Sequence, residues 1–262
     1  MRRFSADYLE TTRTGMWADS REALSDLRLA DCQRVLDVGC GTGELTRVLR
    51  EETGGFVVGL DADAGLLAEV PGPTVRGDAT RLPFADDAFD LVVCQALLIN
   101  LPDPEAAVRE FARVASDRVA AIEPNNAAVT VESTVDSEPI LARRAREYFL
   151  DGVRTDVTLG AATADVFEAA GLAVVSTRRY DQRRIVEPPY DEPSVRAAQR
   201  KATGEGLAAD RETILDGETT PAEYDALRQQ WREMGRDVVT QMQAGEYERR
   251  ETTPFFVTVG RV

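Results

Sequence analysis

Between residues 33 and 125 short apolar runs alternate with segments of helical period. Val35-Leu-Asp-Val38, Phe56-Val-Val-Gly-Leu-Asp61, Thr74-Val-Arg-Gly-Asp78, Phe89-Asp-Leu-Val-Val-Cys94 and Arg118 to Ile122 are five such runs. Each is bounded by turn residues and is too short for a buried helix, so each predicts a buried strand. After the first run, Leu45, Val48 and Leu49 fall on one side of a helix. After the fourth, Ala107, Val108, Phe111 and Val114 do the same, behind Asp103-Pro104. Asp is a good N-cap and Pro suits the first helical position. Strands interleaved with helices predict an α/β fold with a mostly parallel, doubly wound sheet.

Further along the pattern loosens. Pro139 to Leu150 reads as a helix, with Ile140, Leu141, Ala145, Tyr148 and Phe149 available to pack. Ala161 to Ala170 reads as another, stopped by Gly171. Leu172 to Thr177 and Phe255 to Val259 predict a sixth and a seventh strand. Between them lies a long helical insert. Its Thr220-Pro-Ala-Glu223 is a capping box, followed by Tyr224, Leu227, Trp231, Met234 and Val238 at helical spacing. Residues 185–250 are expected to form a substrate cap or a dimerisation arm. Ahead of the first strand, Leu9, Met16, Leu24, Leu27 and Leu29 predict one or two helices packing on the sheet.

The chemistry concentrates where the first strand ends. Val38 is followed by Gly39-Cys-Gly-Thr-Gly43. A turn with few side chains lets a ligand lie on bare backbone, and the helix that follows offers unpaired N–H groups. A dinucleotide fold wants G-x-G-x-x-G, whereas the spacing here is G-x-G-x-G. Asp37, two residues ahead of Gly39, disfavours a pyrophosphate and suits a cationic ligand. An ordinary strand–turn–helix satisfies the same residues. Asp61 lies 22 residues after Gly39. An acid at about that distance binds ribose hydroxyls in nucleotide-binding α/β folds.

Taken together, the glycine turn, the acids at 61 and 78 and the run from Gly77 to Val114 resemble the small-molecule group of class I S-adenosylmethionine (SAM) methyltransferases. The ubiquinone and menaquinone C-methyltransferases belong to that group. The resemblance covers roughly residues 33 to 125. It implies a Rossmann-like doubly wound sheet of seven strands, its last strand antiparallel, with the helical insert before that strand. A single methyltransferase domain over 1–262 is expected, its cofactor-binding core formed by 33–180 plus 254–262. SAM is the implied cofactor and a small molecule the implied methyl acceptor. Gly39, Cys40, Gly41 and Gly43, with Asp37 beside them, would hold the methionine end. Asp61 would take the ribose, with Ala62 beside the adenine. Asp78 and Ala79 would reach the adenine edge, and Gln95 and Ala96 would complete the floor. In similar enzymes the segment before the first strand lies over the cofactor, which brings in Arg13, Met16 and Trp17. Relatives often carry a His near the helix after strand four, where this chain has Ile99-Asn100.

Composition narrows the partners. There are 46 acidic against 31 basic residues, no histidine, and a net charge of −15. Lys201 is the one lysine. So acidic a chain disfavours nucleic acid and anionic membrane surfaces. With lysine so depleted, it points to a halophilic source. No apolar run reaches membrane-spanning length, so a cytoplasmic protein is expected. Cys32, Cys40 and Cys94 lack a metal-ligand or disulfide spacing, and no metal is expected. Without histidine, a base would have to come from Asp, Glu, Tyr, Cys or Lys201. Trp17, Glu123, Asn125 and Tyr148 are the substrate-side candidates, with Tyr180 and Tyr190 behind them, and no catalytic base is assigned. Glu187-Pro-Pro-Tyr190 resembles an N-methyltransferase motif but follows strand six rather than strand four, so it reads as a turn. A nicotinamide-dependent oxidoreductase, a non-catalytic SAM-binding protein and an RNA methyltransferase are the competing readings; a homodimer is compatible with all of them.

Overall fold

The computed structural model describes Met16, Trp17 and residues 21–262. Arg13 and Leu9 lie outside the described residues. The elements run β1 (Arg34–Val38), α1 (Glu44–Glu52), β2 (Phe56–Asp61), α2 (Ala64–Leu67), β3 (Thr74–Arg76), β4 (Phe89–Gln95), α3 (Pro104–Val114) and β5 (Ala115–Pro124). Then come β6 (Thr130–Ser133), α4 (Ser137–Gly152), α5 (Thr163–Ala169) and β7 (Ala173–Val186). The chain closes with α6 (Glu192–Thr203), α7 (Glu205–Ala209), α8 (Arg211–Leu215), α9 (Pro221–Ala244) and β8 (Arg249–Arg261). They fall into two compact units, 1–125 with 158–180 and 255–262, and 126–157 with 181–254.

In the first unit the strand order is β3-β2-β1-β4-β5-β8. The first five are parallel, and β8 pairs antiparallel with β5, from Arg118↔Arg261 to Pro124↔Phe255. β7 pairs with β8 as well. This is the expected Rossmann-like sheet with an antiparallel closing strand. β1 and β4 are buried on both faces, which is why their sequences are nearly unbroken apolar runs. One face packs Leu36, Val38, Val92, Cys94 and Phe111 with Phe167 of α5. The other packs Val35, Val48, Leu49, Leu91, Val93 and Ile122 with Trp17 and Leu27. The order in which strands are added reverses between β1 and β4, so the carboxyl ends of these parallel strands open a crevice at the switch point.

The second unit is larger than the insert expected at 185–250. Residues 126–157, placed with the cofactor-binding core at 33–180 by sequence, group with this unit. The reason is packing. Val135 and Leu141, on the α4 side, share one apolar cluster with Ala198, Leu207, Ile214, Tyr224, Leu227, Met234 and Val238. The short strand β6, not foreseen, pairs antiparallel with β8 from Thr130↔Thr252 to Ser133↔Arg249. Gly235 lets α9 cross α6 closely, since a Cβ there would lie 2.3 Å from the Ala202 nitrogen. Among the described residues no helix is long and apolar enough to cross a membrane.

Candidate functional site

The glycine turn is shaped by backbone sign. Gly39, Gly41 and Gly43 take φ of 71°, 55° and 86°, which L side chains rarely adopt. A Cβ on Gly39 would lie 2.9 Å from Leu97 Cδ1, and one on Gly43 would lie 2.9 Å from Val70 Cγ1. Gly39 and Cys40 both donate N–H to the Leu60 carbonyl, at 2.7 and 3.0 Å, which binds the turn to the end of β2. No side chain caps the N-terminus of α1.

Asp61 completes this joint. Its Oδ2 accepts the Gly41 N–H at 2.9 Å and its Oδ1 accepts the Asp63 N–H at 2.9 Å. A carboxylate has about four lone-pair sites, so capacity remains for two hydroxyl donors. Ala62 follows, and its carbonyl receives Arg76 Nε at 3.1 Å. Asp78 is exposed, and its Oδ1 accepts both the N–H and the hydroxyl of Thr80 at 2.8 Å. Those donors hold the Asp78 carboxyl below its ordinary value. Ala79 is buried beside it. Ala96 sits at a φ of 47° and donates to the Ile122 carbonyl at 2.9 Å.

Other expected site residues are engaged within the fold. Asp37 is 1% exposed, and Thr46 Oγ1 donates to it at 2.5 Å. That hydrogen bond braces α1 against β1. Cys40 is buried beside Gly59, and burial, with Asp37 and Asp61 nearby, pushes its thiol far up. The Gln95 side chain is buried. It takes the Trp17 indole N–H at 3.2 Å and reaches Met16 Sδ at 2.9 Å. Trp17 is 1% exposed and stacks on Tyr180 at 5.7 Å between ring centres. Both side chains pack within the fold.

Glu123 is fully buried. Its Oε1 accepts the N–H groups of Leu97 and Leu98 at 3.1 and 2.9 Å, and its Oε2 that of Ile99 at 3.4 Å. The carboxylate therefore caps the 3-10 turn Leu98–Asn100 behind β4. That geometry makes it a positioning group for the turn. Cys94 lies 3.8 Å from Glu123, and burial raises its thiol well above the ordinary value. Asn125 is half-buried under Gly160, where a Cβ would lie 2.9 Å from Asn125 Cβ. Tyr148 belongs to the second unit, where it packs against the apolar cluster. So does Tyr190, whose hydroxyl is bonded to the Tyr247 backbone. Among the described residues no group of three or more His, Cys, Asp or Glu could hold a metal ion.

Two partners were not foreseen. Thr46 is nine residues from Asp37, and Asn100 drew notice only for not being histidine. Both placements depend on how a turn folds back, which spacing does not report.

Parts of this chain resemble known proteins. Residues 36–122 match a family described as a methyltransferase domain. The demethylmenaquinone methyltransferase of Mycolicibacterium paratuberculosis is 38% identical over 129 residues, which cover 48% of this chain and 53% of that protein. The enzyme of the same name from Mycobacterium tuberculosis (strain H37Rv) is 35% identical over 133 residues, 50% of this chain and 53% of that protein. The chain thus spans about half the length of the curated relatives it matches. Among solved structures, the YcgJ protein of Bacillus subtilis superposes with a TM-score of 0.52 at 19% identity, over 92% of this chain and 98% of that one. A chain of the Haloferax volcanii Trm112 complex gives 0.52 at 19% identity, over 97% and 92%. At such identities these two likenesses bear on the fold alone.

Proposed function

We propose that this chain, which is built around a class I SAM-dependent methyltransferase domain, moves a methyl group from SAM to a small-molecule acceptor. The observation that carries the reading is the joint at the switch point: a left-handed glycine turn whose Gly41 amide is held by Asp61 at 2.9 Å. The residues present fit the cofactor. The Gly39–Gly43 backbone would take the methionine end, and Asp61 the ribose hydroxyls. Ala62 would flank the adenine, Asp78 and Ala79 would meet its edge, and Ala96 with the Gln95 backbone would lie beneath.

When bound, the cofactor supplies a methyl carbon already activated by its sulfonium. The protein's share is placement of the acceptor, about 3 to 3.5 Å from that carbon and in line with the departing sulfur. A base is needed only where the attacking atom must lose a proton. Glu123 is engaged by three backbone N–H groups, and the Cys94 thiol is held protonated by its burial. This favours an acceptor that needs no side-chain base. The quinone named in the curated relatives is such an acceptor class once reduced, provided that water takes both the hydroxyl proton lost in forming the delocalised ring anion and the ring proton displaced after methylation.

Calorimetry with SAM, S-adenosylhomocysteine and NAD tests the cofactor. Binding of the first two without the third is expected, and NAD binding alone would overturn the reading. Labelled methyl transfer to a demethylmenaquinol, scored against a metabolite extract, tests the acceptor. SAM binding with no label moved to any extract component would reduce the protein to a SAM-binding module.

A further inference from the structure

Among the described residues β7 pairs with β8 and with no other strand. It runs for 14 residues without Gly or Pro, where a globular strand averages about 5–6. A long edge offers its row of backbone N–H and C=O groups to any other strand, and proteins blunt such edges with charge. Arg178, Arg179, Arg183 and Arg184 stand along this one. Side chains alternate between faces along a strand, and the odd-numbered positions from Ala173 to Ile185 form the more exposed face. On it Val175 is 53% and Ile185 54% exposed, two of the six large apolar side chains exposed among the described residues.

The sequence of β7 is self-complementary about Tyr180. In an antiparallel pair of two such strands with the Tyr180 residues opposite each other, Arg179 meets Asp181, twice by symmetry. Val175 meets Ile185, so these two side chains cover each other, and Val174 meets Val186. The four arginines meet Gln182, Asp181, Thr177 and Ser176 in turn, so no like charges stand opposite. Neighbouring registers fail. Centring on residue 179 sets Arg179 against itself; centring on 181 sets Asp181 against itself and Arg179 against Arg183. A centre between residues brings the exposed face of one strand against the inward face of the other. Charge therefore selects the partner and the register, while main-chain hydrogen bonds and the apolar pairs supply the attraction.

We propose that two copies of this chain pair through β7, antiparallel and two-fold symmetric about Tyr180, so that their sheets become continuous. The inference is independent of the SAM reading. Sedimentation velocity on the full chain tests it, in about 0.15 M salt, where charges are screened beyond about 8 Å. The parent is expected to sediment as a dimer. Asp181→Arg and Arg179→Asp each replace two attractions across the axis by two repulsions, and each is expected to weaken the dimer on the order of tenfold. The two substitutions combined restore opposite charges and are expected to recover the parent's dissociation constant within about threefold. Circular dichroism melting of each variant checks that it is folded. A cross-link reads the register. With Val175→Cys and Ile185→Cys together, mild oxidation is expected to give a covalent dimer, whereas either substitution alone gives none. The two positions lie about 33 Å apart along one strand, too far to join within a chain, and the three native cysteines are buried. A parent that stays monomeric at near-millimolar concentration overturns the proposal. So does a dimer indifferent to both charge reversals, a combined variant as weak as the single ones, or a dimeric double-cysteine variant that does not cross-link.

Discussion

At the scale of single residues, Asp61 and Asp37 show how like chemistry is put to unlike use. Both place a carboxylate in the last two residues of a parallel strand. Asp61 stays half-exposed, with one backbone donor on each oxygen, so it can serve a ligand. Asp37 is buried and takes the Thr46 hydroxyl, so it serves the fold. The two therefore separate under mutation. Asp61→Ala removes the proposed ribose acceptor and the brace on Gly41, and SAM affinity should drop by one to two orders of magnitude, at about 1.5–3 kcal/mol for a charged hydrogen bond. Calorimetry reads this directly; an unchanged dissociation constant would remove Asp61 from the site. Thr46→Val takes away a buried donor instead. It should cost about 1–3 kcal/mol in urea denaturation, with SAM affinity in the folded protein nearly kept. A large loss of affinity at unchanged stability would reverse the assignment of Asp37.

At the scale of elements, the strands of the first unit were legible because each reports its own burial. A short apolar run bounded by turn residues was enough for β1, β2 and β4, and Asp103-Pro104 marked the start of α3 where the Asp103 side chain accepts the Ala106 N–H. The capping box at α9 was equally local, with Thr220 and Glu223 bonding each other's backbone. Thr220→Ala should therefore lower stability by about 0.5–2 kcal/mol in chemical denaturation. The second unit hid a larger feature. Glu138 of α4 accepts from Lys201 of α6, from Arg249 Nε at 3.1 Å, from Ser133 at 2.6 Å and from the Tyr247 hydroxyl at 2.8 Å. These groups stand 5, 63, 109 and 111 positions from Glu138 in the chain, so no periodicity links them. The lone lysine was the one sign of it. Burial would raise the Glu138 carboxyl, yet Lys201, Ser133 and Arg249 outweigh it and hold the group below its ordinary value. A depressed carboxylate contributes stability that is present above its unfolded pKa, about 4.3, and is lost as pH falls through the folded value. The parent should thus lose stability as pH drops below about 5. Glu138→Gln should be less stable at neutral pH and flatter across that acid range. Parallel pH–stability curves for the two proteins would show that Glu138 does not titrate with unfolding.

At the scale of the whole molecule, charge sets a demand that no single contact meets. The chain carries a net −15, and most of its ion pairs lie at the surface, where each contributes little. Folding brings these carboxylates closer together than in the open chain, so self-repulsion opposes the compact state. Added salt acts on two opposing parts of this. It weakens the surface pairs, such as Arg47 with Glu44 and Arg196 with Glu192, and it screens the excess repulsion. The screening length falls from about 10 Å at 0.1 M to about 3 Å at 1 M, which removes repulsion among distant acids while contact pairs lose only part of their attraction. With 15 acids in excess over bases, the repulsive part is the larger, and it grows with the charge count whereas each pair is local. The melting temperature should therefore rise between dilute buffer and molar KCl, as a high-salt source would require. KCl is the informative salt, because sulfate would also strengthen apolar burial and blur the cause. A melting temperature that is flat or falls over that range would mean that the pairs already balance the excess, and the acidic surface would then need another explanation than life in salt.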